Sequence, residues 1–293
     1  MIVSRLGGMR IGELTDVRAA RPEAVAEAAA RRVRPASLPD RPMIIAADHP
    51  ARGALAAGGD PVAMADRGDL LERLCTALER PGVDGVLGTP DVIEDLALLG
   101  VLDGRLAIGS MNRGGLAGTA FEIDDRFTAY DADAIAASRL DGGKMLLRID
   151  DADPATARTL EACGRAVTGL AGHRLMAIVE PFVAHRVEGR LRNLLTPEAM
   201  IRAVSVASGL GATSAYTWLK VPVVPGMERV AAATTLPLLL LGGDIGDDPG
   251  PVLDGWRRAL RLPGVKGLVA GRSLLYPPDG DVRAAVDAAV ELL

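Results

Sequence analysis

Lysine is scarce in this chain: of 293 residues, 33 are lysine or arginine, and lysine stands only at positions 144, 220 and 266. Histidine is just as scarce, at His49, His173 and His185. A catalytic divalent metal is usually held by several histidines with carboxylates, so no metal centre is expected. The two cysteines, Cys75 and Cys163, both fall in amphipathic helical patterns and read as packed, reduced thiols rather than a disulfide framework. No excess of basic charge exists, because 38 acidic residues leave a formal net charge of −5. A polyanion-binding surface needs a basic stripe to neutralise phosphates, so no nucleic-acid partner is expected and any phosphate site must be local. Apolar runs of 18 or more uncharged residues are absent, and the opening MIVSRLGGMRIGELTD lacks the unbroken apolar core of a signal peptide. The expectation is a cytoplasmic protein without a membrane partner.

What the chain does have is apolar material, 49% of its residues against 24% charged, enough for burial to outweigh chain entropy. Eight short β-rich runs alternate with helical stretches, at residues 42–49, 82–89, 105–111, 144–150, 174–182, 216–223, 236–244 and 265–275. Most are nearly continuous in apolar residues, as parallel strands covered by helices should be. Three of the intervening helices are announced by a capping side chain ahead of proline: Thr89-Pro90, Asp153-Pro154 and Thr196-Pro197. An α/β architecture of eight such units is either a closed (β/α)8 TIM barrel or a doubly wound open sheet. Asp48, Glu180, Asp244 and the Gly271-Arg272 pair lie toward the C-terminal ends of different strands, which favours the barrel, since an open sheet concentrates its site at one switch point. The expected organisation is one barrel domain over residues 1–293 with an N-terminal helical extension over 1–40. That extension contains the amphipathic stretch RPEAVAEAAARRVR and reads as a cover for the barrel's bottom. Residues 112–130 form a long Gly- and Asp-rich loop, a length at which loops are often functional.

The lysine distribution is the most informative feature. A protein that meets its surface-charge needs with arginine and keeps a lysine inside an apolar strand asks for an amine, because arginine neither gives up its proton near neutral pH nor forms an imine. Lys220 sits in YTWLKVPV, near the C-terminal end of the sixth predicted strand, with Tyr216, Trp218 and Lys220 on one face and Leu219 and Val221 on the other. The alternative is a lysine snorkelling out of the sheet. Lys144 begins the fourth predicted strand. Pointing inward, it sets a second cation near Lys220 and favours a neutral amine there; otherwise it makes a salt bridge at the barrel's lower end. Lys266 starts the last strand and reads as a solvated rim residue. Glu180 lies on the strand between those of Lys144 and Lys220, within reach because adjacent strands are about 4.8 Å apart. Its apolar surroundings are expected to raise its pKa into the range of a proton shuttle, or else it is a buried counter-ion for one lysine. Asp48, ending the first strand, is a candidate for charge balance or substrate-hydroxyl binding.

The last two strands end LLLLGGD and VAGRSLL. Gly242, Gly243 and Gly271 let backbone N–H groups approach an anion, and Arg272 supplies a bidentate fork, so together they form a candidate phosphate cradle. Alternatively the glycines only make tight turns and Arg272 pairs with Asp244 or Asp247.

In order along the chain, AADHP, GGKMLLRID, AIVEPF, TWLKVP, LLLGGD and VAGRSLL resemble the class I, lysine-dependent aldolases that include tagatose-bisphosphate, sulfofructose-phosphate and archaeal-type fructose-bisphosphate aldolases, over about residues 42–276. The resemblance implies Lys220 as the imine-forming lysine and Glu180 as its acid/base. It implies Lys144 and Asp48 as neighbouring charged site residues, and Gly242, Gly243, Gly271 and Arg272 as the cradle for dihydroxyacetone phosphate. It requires no cofactor and a small phosphorylated sugar as substrate; a homo-oligomer is compatible with it. The substrate favoured by resemblance is 2-deoxy-5-keto-D-gluconate 6-phosphate, from inositol breakdown, with a ketose bisphosphate or sulfofructose phosphate as alternatives. His49-Pro50 departs from the glycine that many relatives carry after the first-strand aspartate. A non-catalytic sugar-phosphate-binding barrel is the rival from another class: it needs the cradle but not Lys220 and Glu180 together. Arg113, Arg148, His185 and Arg186 are unranked candidates for recognising the distal end of the substrate.

Overall fold

The computed structural model of the chain describes residues 9–243 and 248–293. Its strands are β1 (Met43–Ala46), β2 (Gly85–Gly88), β3 (Leu106–Ser110), β4 (Gly142–Ile149), β5 (Met176–Val187), β6 (Arg190–Asn193), β7 (Thr217–Val221), β8 (Leu238–Leu241) and β9 (Val265–Ala270). Parallel pairing runs from β1 through β2, β3, β4 and β5 to β7, β8 and β9, and β9 pairs back onto β1. Eight strands therefore close on themselves, which excludes the open sheet and gives the (β/α)8 barrel that the sequence favours.

Before the barrel come α1 (Leu14–Ala20) and α2 (Glu23–Arg31). Around and after it come α3 (Arg67–Leu78), α4 (Pro90–Leu98), α5 (Ala132–Ala137), α6 (Ala155–Gly172), α7 (Pro197–Ser208), α8 (Met227–Ala232), α9 (Gly250–Ala259), α10 (Arg272–Leu275) and α11 (Val282–Val290). None of the described helices is long and apolar enough to cross a membrane. Local chemistry sets the helix starts. Asp66, Asp131 and Thr196 accept from the backbone N–H groups of Asp69, Ala134 and Ala199, satisfying donors that a first turn leaves orphaned. Thr196 thus caps as its sequence signal says. Asp153 accepts from Ala155 N one residue into α6, while Thr89 makes no such bond and donates its hydroxyl to Asp91 instead.

The N-terminal extension is two helices broken at Arg21-Pro22, as proline requires. Arg18 on α1 pairs with Glu94 and Asp95 of α4, so these helices lie along the barrel's flank. The chain then reaches the lower rim, where buried Arg32 binds the Arg105 and Arg139 carbonyls and Asp141.

Strand alternation divides the apolar residues into two compartments. The outward set, with the helices, forms the larger core. The inward set is a separate plug in the lower barrel: Ile44 and Ala46, Leu87, Leu106 and Ile108, Met176 and Ile178, Leu239 and Val269, with Trp218 against them. Burying each large side chain here contributes roughly 1.5–3 kcal/mol.

Three sequence expectations change. β4 begins two residues earlier than read, at Gly142, so Lys144 stands one full pleat inside the barrel and not at its lower end. The strand begins there because Gly142 and Gly143 admit close neighbours: a Cβ at either would lie 2.5 Å from Met176 O or Met111 Sδ. The last strand ends at Ala270, and Gly271-Arg272 start the short helix α10, so Arg272 is a helix residue rather than a strand residue. Finally, β5 does not stop at Phe182. It continues to Val187 and turns back as β6 in an antiparallel hairpin that the sequence reading missed. Glu188 and Gly189 carry the turn with φ of 50° and 77°, the left-handed pair that a two-residue hairpin loop demands. Asp244 and Asp247 lie outside the described residues.

Candidate active site

On three inward-facing rows the apolar plug gives way to charged groups one or two pleats further up. Residues 44, 46 and 48 run from Ile and Ala to Asp; 176, 178 and 180 from Met and Ile to Glu; 218 and 220 from Trp to Lys. The pleat therefore aims Asp48, Lys144, Glu180 and Lys220 at one another above the plug, and all four are buried. They form a chain of alternating charge. Lys220 Nζ donates to Glu180 Oε1 at 3.0 Å, the other Glu180 oxygen pairs with Lys144, and Lys144 Nζ donates to Asp48 Oδ2 at 3.2 Å. Lys220 points into the barrel and does not snorkel outward. Lys266 is exposed at the lower rim, as read.

Two further groups complete the cluster. Ser110, the last inward residue of β3, donates to Asp48 Oδ2 at 2.9 Å. Arg113, just beyond β3, places Nη2 3.0 Å from the same oxygen and donates through Nη1 to the Asp48 carbonyl. The sequence left Arg113 unranked because only the folded loop turns it back toward β1. That loop is fastened down: Arg52 reaches Asp125 at 2.5 Å, Arg148 reaches Glu122 at 2.9 Å, and Asn112 bonds both backbone groups of Leu146.

The electrostatics follow from burial and neighbours. Burial alone would raise the Asp48 carboxyl, but Lys144 and Arg113 hold it well below the usual carboxylate range. Glu180 is the notable correction. Burial does push it up, as the sequence reading supposed, yet Lys144 and Lys220 outweigh burial and hold it at about 2, so it is an anion rather than a group poised near neutrality. Lys144 is lowered, because burial together with Lys220 and Arg113 outweighs Asp48 and Glu180. His49 is lowered to about 3 by burial, with Arg272 and the two lysines adding to the effect against Asp48, and is neutral at working pH.

These groups open on a cavity of about 980 Å³ at the C-terminal end of the barrel. Gly242, Gly243, Gly271 and Arg272 line another part of the same cavity, so the structure brings both halves of the sequence-derived site to one mouth. At Gly271 the backbone passes against the Ala46 carbonyl with no room for a Cβ, and at Gly242 a Cβ would sit 2.8 Å from Ser273 Oγ. Ser273 is buried, and among the described residues its hydroxyl has no hydrogen-bond partner. Arg148 also lines the cavity, whereas Arg186 pairs with Asp153 and the Ala120 carbonyl and His185 stands exposed on the hairpin, both beside a separate shallow pocket. The three histidines do not converge: His173 pairs with Asp133 on the surface. Among the described residues no group of three or more His, Cys, Asp or Glu side chains is placed to hold a metal ion.

A closed barrel of this build has the fold of the archaeal-type class I fructose-bisphosphate aldolases. An archaeal fructose 1,6-bisphosphate aldolase is 18% identical over 92% of this chain and 98% of its own, with a TM-score of 0.63. A Schiff base forming fructose-1,6-bisphosphate aldolase is 18% identical over 92% and 99%, with a TM-score of 0.61. At that identity the likeness is one of fold. The chain belongs to the Cgl0159-like family, whose description matches residues 40–290. It is 51% identical to Cgl0159 from Corynebacterium glutamicum, over 96% of this chain and 95% of that one, with a TM-score of 0.93. No curated protein matches the chain.

Proposed function

We propose that this protein is a class I aldolase, a lyase in which Lys220 forms a Schiff base with a phosphorylated ketose and cleaves it reversibly to dihydroxyacetone phosphate and an aldehyde. The observation that carries this reading is the buried contact of Lys220 Nζ with Glu180, itself bonded to Lys144. An amine that attacks a ketone must first lose its proton, and the anionic carboxylate 3.0 Å away is the acceptor. The same carboxyl then returns that proton to the carbinolamine hydroxyl as it leaves as water. With the imine in place as electron sink, it removes the proton from the hydroxyl that becomes the aldehyde. Lys144, itself held by Asp48, keeps Glu180 oriented between turns. Gly242, Gly243, Gly271 and Arg272 would hold the phosphate, with backbone N–H groups and a guanidinium fork.

The first substrate to test is 2-deoxy-5-keto-D-gluconate 6-phosphate, followed by ketose bisphosphates and sulfofructose phosphate. Arg148, although paired with Glu122, lines the cavity where a distal acidic group would lie. It shares the inward row of β4 with Lys144, four residues further on, which sets it roughly 13 Å toward the mouth. A sugar-phosphate sensor has no use for a lysine pair bridged by a buried carboxylate, so catalysis is the better account.

Borohydride reduction in the presence of dihydroxyacetone phosphate, followed by peptide mass mapping, tests the proposal. The expected adduct is on Lys220; no adduct, or one on Lys144, refutes it.

A further inference from the structure

The charged cluster does not balance. Asp48 and Glu180 supply two negative charges; Lys144, Lys220 and Arg113 supply three potential positive ones. The other ionisable groups around it do not correct the count. Arg52 is spent on Asp125 and Arg148 on Glu122, each pair neutral within itself. Neighbouring His49 is uncharged, and Arg272, the remaining charged group that bears on it, is another cation. A buried excess of charge is costly and is relieved by the group that can most readily neutralise itself. Arginine cannot do so near neutral pH, whereas lysine can.

We propose that Arg113 is a positioning residue whose fixed charge, set on the same Asp48 oxygen as Lys144, favours the uncharged amine at Lys144 before any substrate arrives. Its geometry suits the task. Nη2 and Nη1 grip the carboxylate and the carbonyl of Asp48, and Nε donates to the Asn112 carbonyl at 2.8 Å, so the guanidinium is held on three sides and is itself buried. Asp48 Oδ2 receives Ser110, Lys144 and Arg113 together, which weakens its hold on the Lys144 proton. The loop that carries Arg113 is tied down by Arg52 through the Asn112 and Gly115 carbonyls, so the charge cannot swing away. Through this residue the fold of the 112–130 loop sets the protonation of Lys144.

This inference takes from the proposed function only the identity of the lysines that matter, and its test does not require turnover. The whole protein is labelled with trace acetic anhydride across a pH series, and acetylation at Lys144 and Lys220 is quantified by peptide mass mapping. In the unaltered protein Lys144 should titrate below the ordinary lysine value of about 10.4. Arg113→Gln should raise that midpoint by about one pH unit or more. Asp48→Asn enlarges the excess and should lower it, which keeps the test open if Arg113→Gln fails to fold. Arg113→Lys, with the charge retained, should stay near the unaltered value. An unchanged midpoint in Arg113→Gln, a rise in Asp48→Asn, or an Arg113→Lys midpoint that moves as far as Arg113→Gln would overturn the inference. Absence of borohydride trapping alongside the expected shifts would sink the aldolase reading and leave this one standing.

Discussion

The lower and upper halves of the barrel interior are built by the same strands yet hold opposite chemistry. Below, Ile44, Ile108, Ile178, Trp218 and Leu239 make a plug without a charged group; above, one or two pleats further along, Asp48, Lys144, Glu180 and Lys220 are linked side chain to side chain. The contrast shows how a barrel confines a buried charge network. The plug keeps water out from beneath, so each Coulomb interaction above acts in a poorly screening medium, while the cavity opens the cluster from the other side. On the proposed function one half serves stability and the other chemistry, and substitutions should separate them.

The largest effect is expected from Lys220→Arg. It keeps the charge beside Glu180 but cannot form an imine, so aldol cleavage should fall to background while the melting temperature moves little; retained cleavage would show that Lys220 is not the nucleophile. Next comes Glu180→Gln, which preserves shape while removing the ionisable group. General acid–base help is worth about 10² to 10⁴ in rate, so turnover should drop by that factor while borohydride trapping persists, and a steady-state assay within threefold of the unaltered protein would contradict the role. Glu180 also predicts an acid limit. Its folded value near 2 lies below the ordinary value of about 4.3, so its contribution to stability is complete above about 4.3 and is lost as pH falls toward 2. Acid unfolding followed by circular dichroism should lose that component in Glu180→Gln.

In the plug the pattern should invert. Ile178→Ala leaves a cavity in a fully buried layer and should cost about 2–5 kcal/mol in denaturant unfolding, with kcat nearly intact while the protein stays folded. A large fall in kcat without a stability change would mean that the two halves are not separable. The smallest effect is expected from Arg272→Ala, where loss of a charged fork worth roughly 1.5–3 kcal/mol should weaken phosphorylated ketoses tenfold to a hundredfold and spare unphosphorylated ones. Equal losses for both would place the phosphate elsewhere.

Most of the barrel was legible because parallel strands buried on both faces read as unbroken apolar runs, and each of the eight runs overlaps a barrel strand. Asp48, Glu180 and Lys220 were legible for the complementary reason: ionisable groups inside such runs demand a use. The β5–β6 hairpin was not, because its residues, AHRVEGRLRN, are polar beyond Ala184 except for Val187 and Leu191 and lack the continuous apolar run that marks a barrel strand. Only the Glu188-Gly189 turn signalled it. Arg113 was illegible for another reason, since its meeting with Asp48 is made by a loop whose path depends on Arg52, Asp125 and Asn112, residues with no periodic relation to one another. The pKa of Glu180 was misjudged because a strand pattern reports burial but not how many ammonium groups share the burial.

Asn112 has a consequence of its own. β3 ends at Ser110, but β4 runs on to Ile149, and the Asn112 side chain meets the Leu146 N–H with its oxygen at 2.8 Å and the Leu146 carbonyl with its nitrogen at 2.6 Å. A carboxamide is here impersonating a peptide unit, extending the ladder beyond the strand that should supply it. The barrel wall at that level is thus part main chain and part side chain. Hydrolysis of that single amide to a carboxylate would turn the donor that serves Leu146 into a second acceptor, leaving the carbonyl facing an oxygen. A change of one atom's identity, with almost no change of shape, would open a seam in the sheet directly above Lys144.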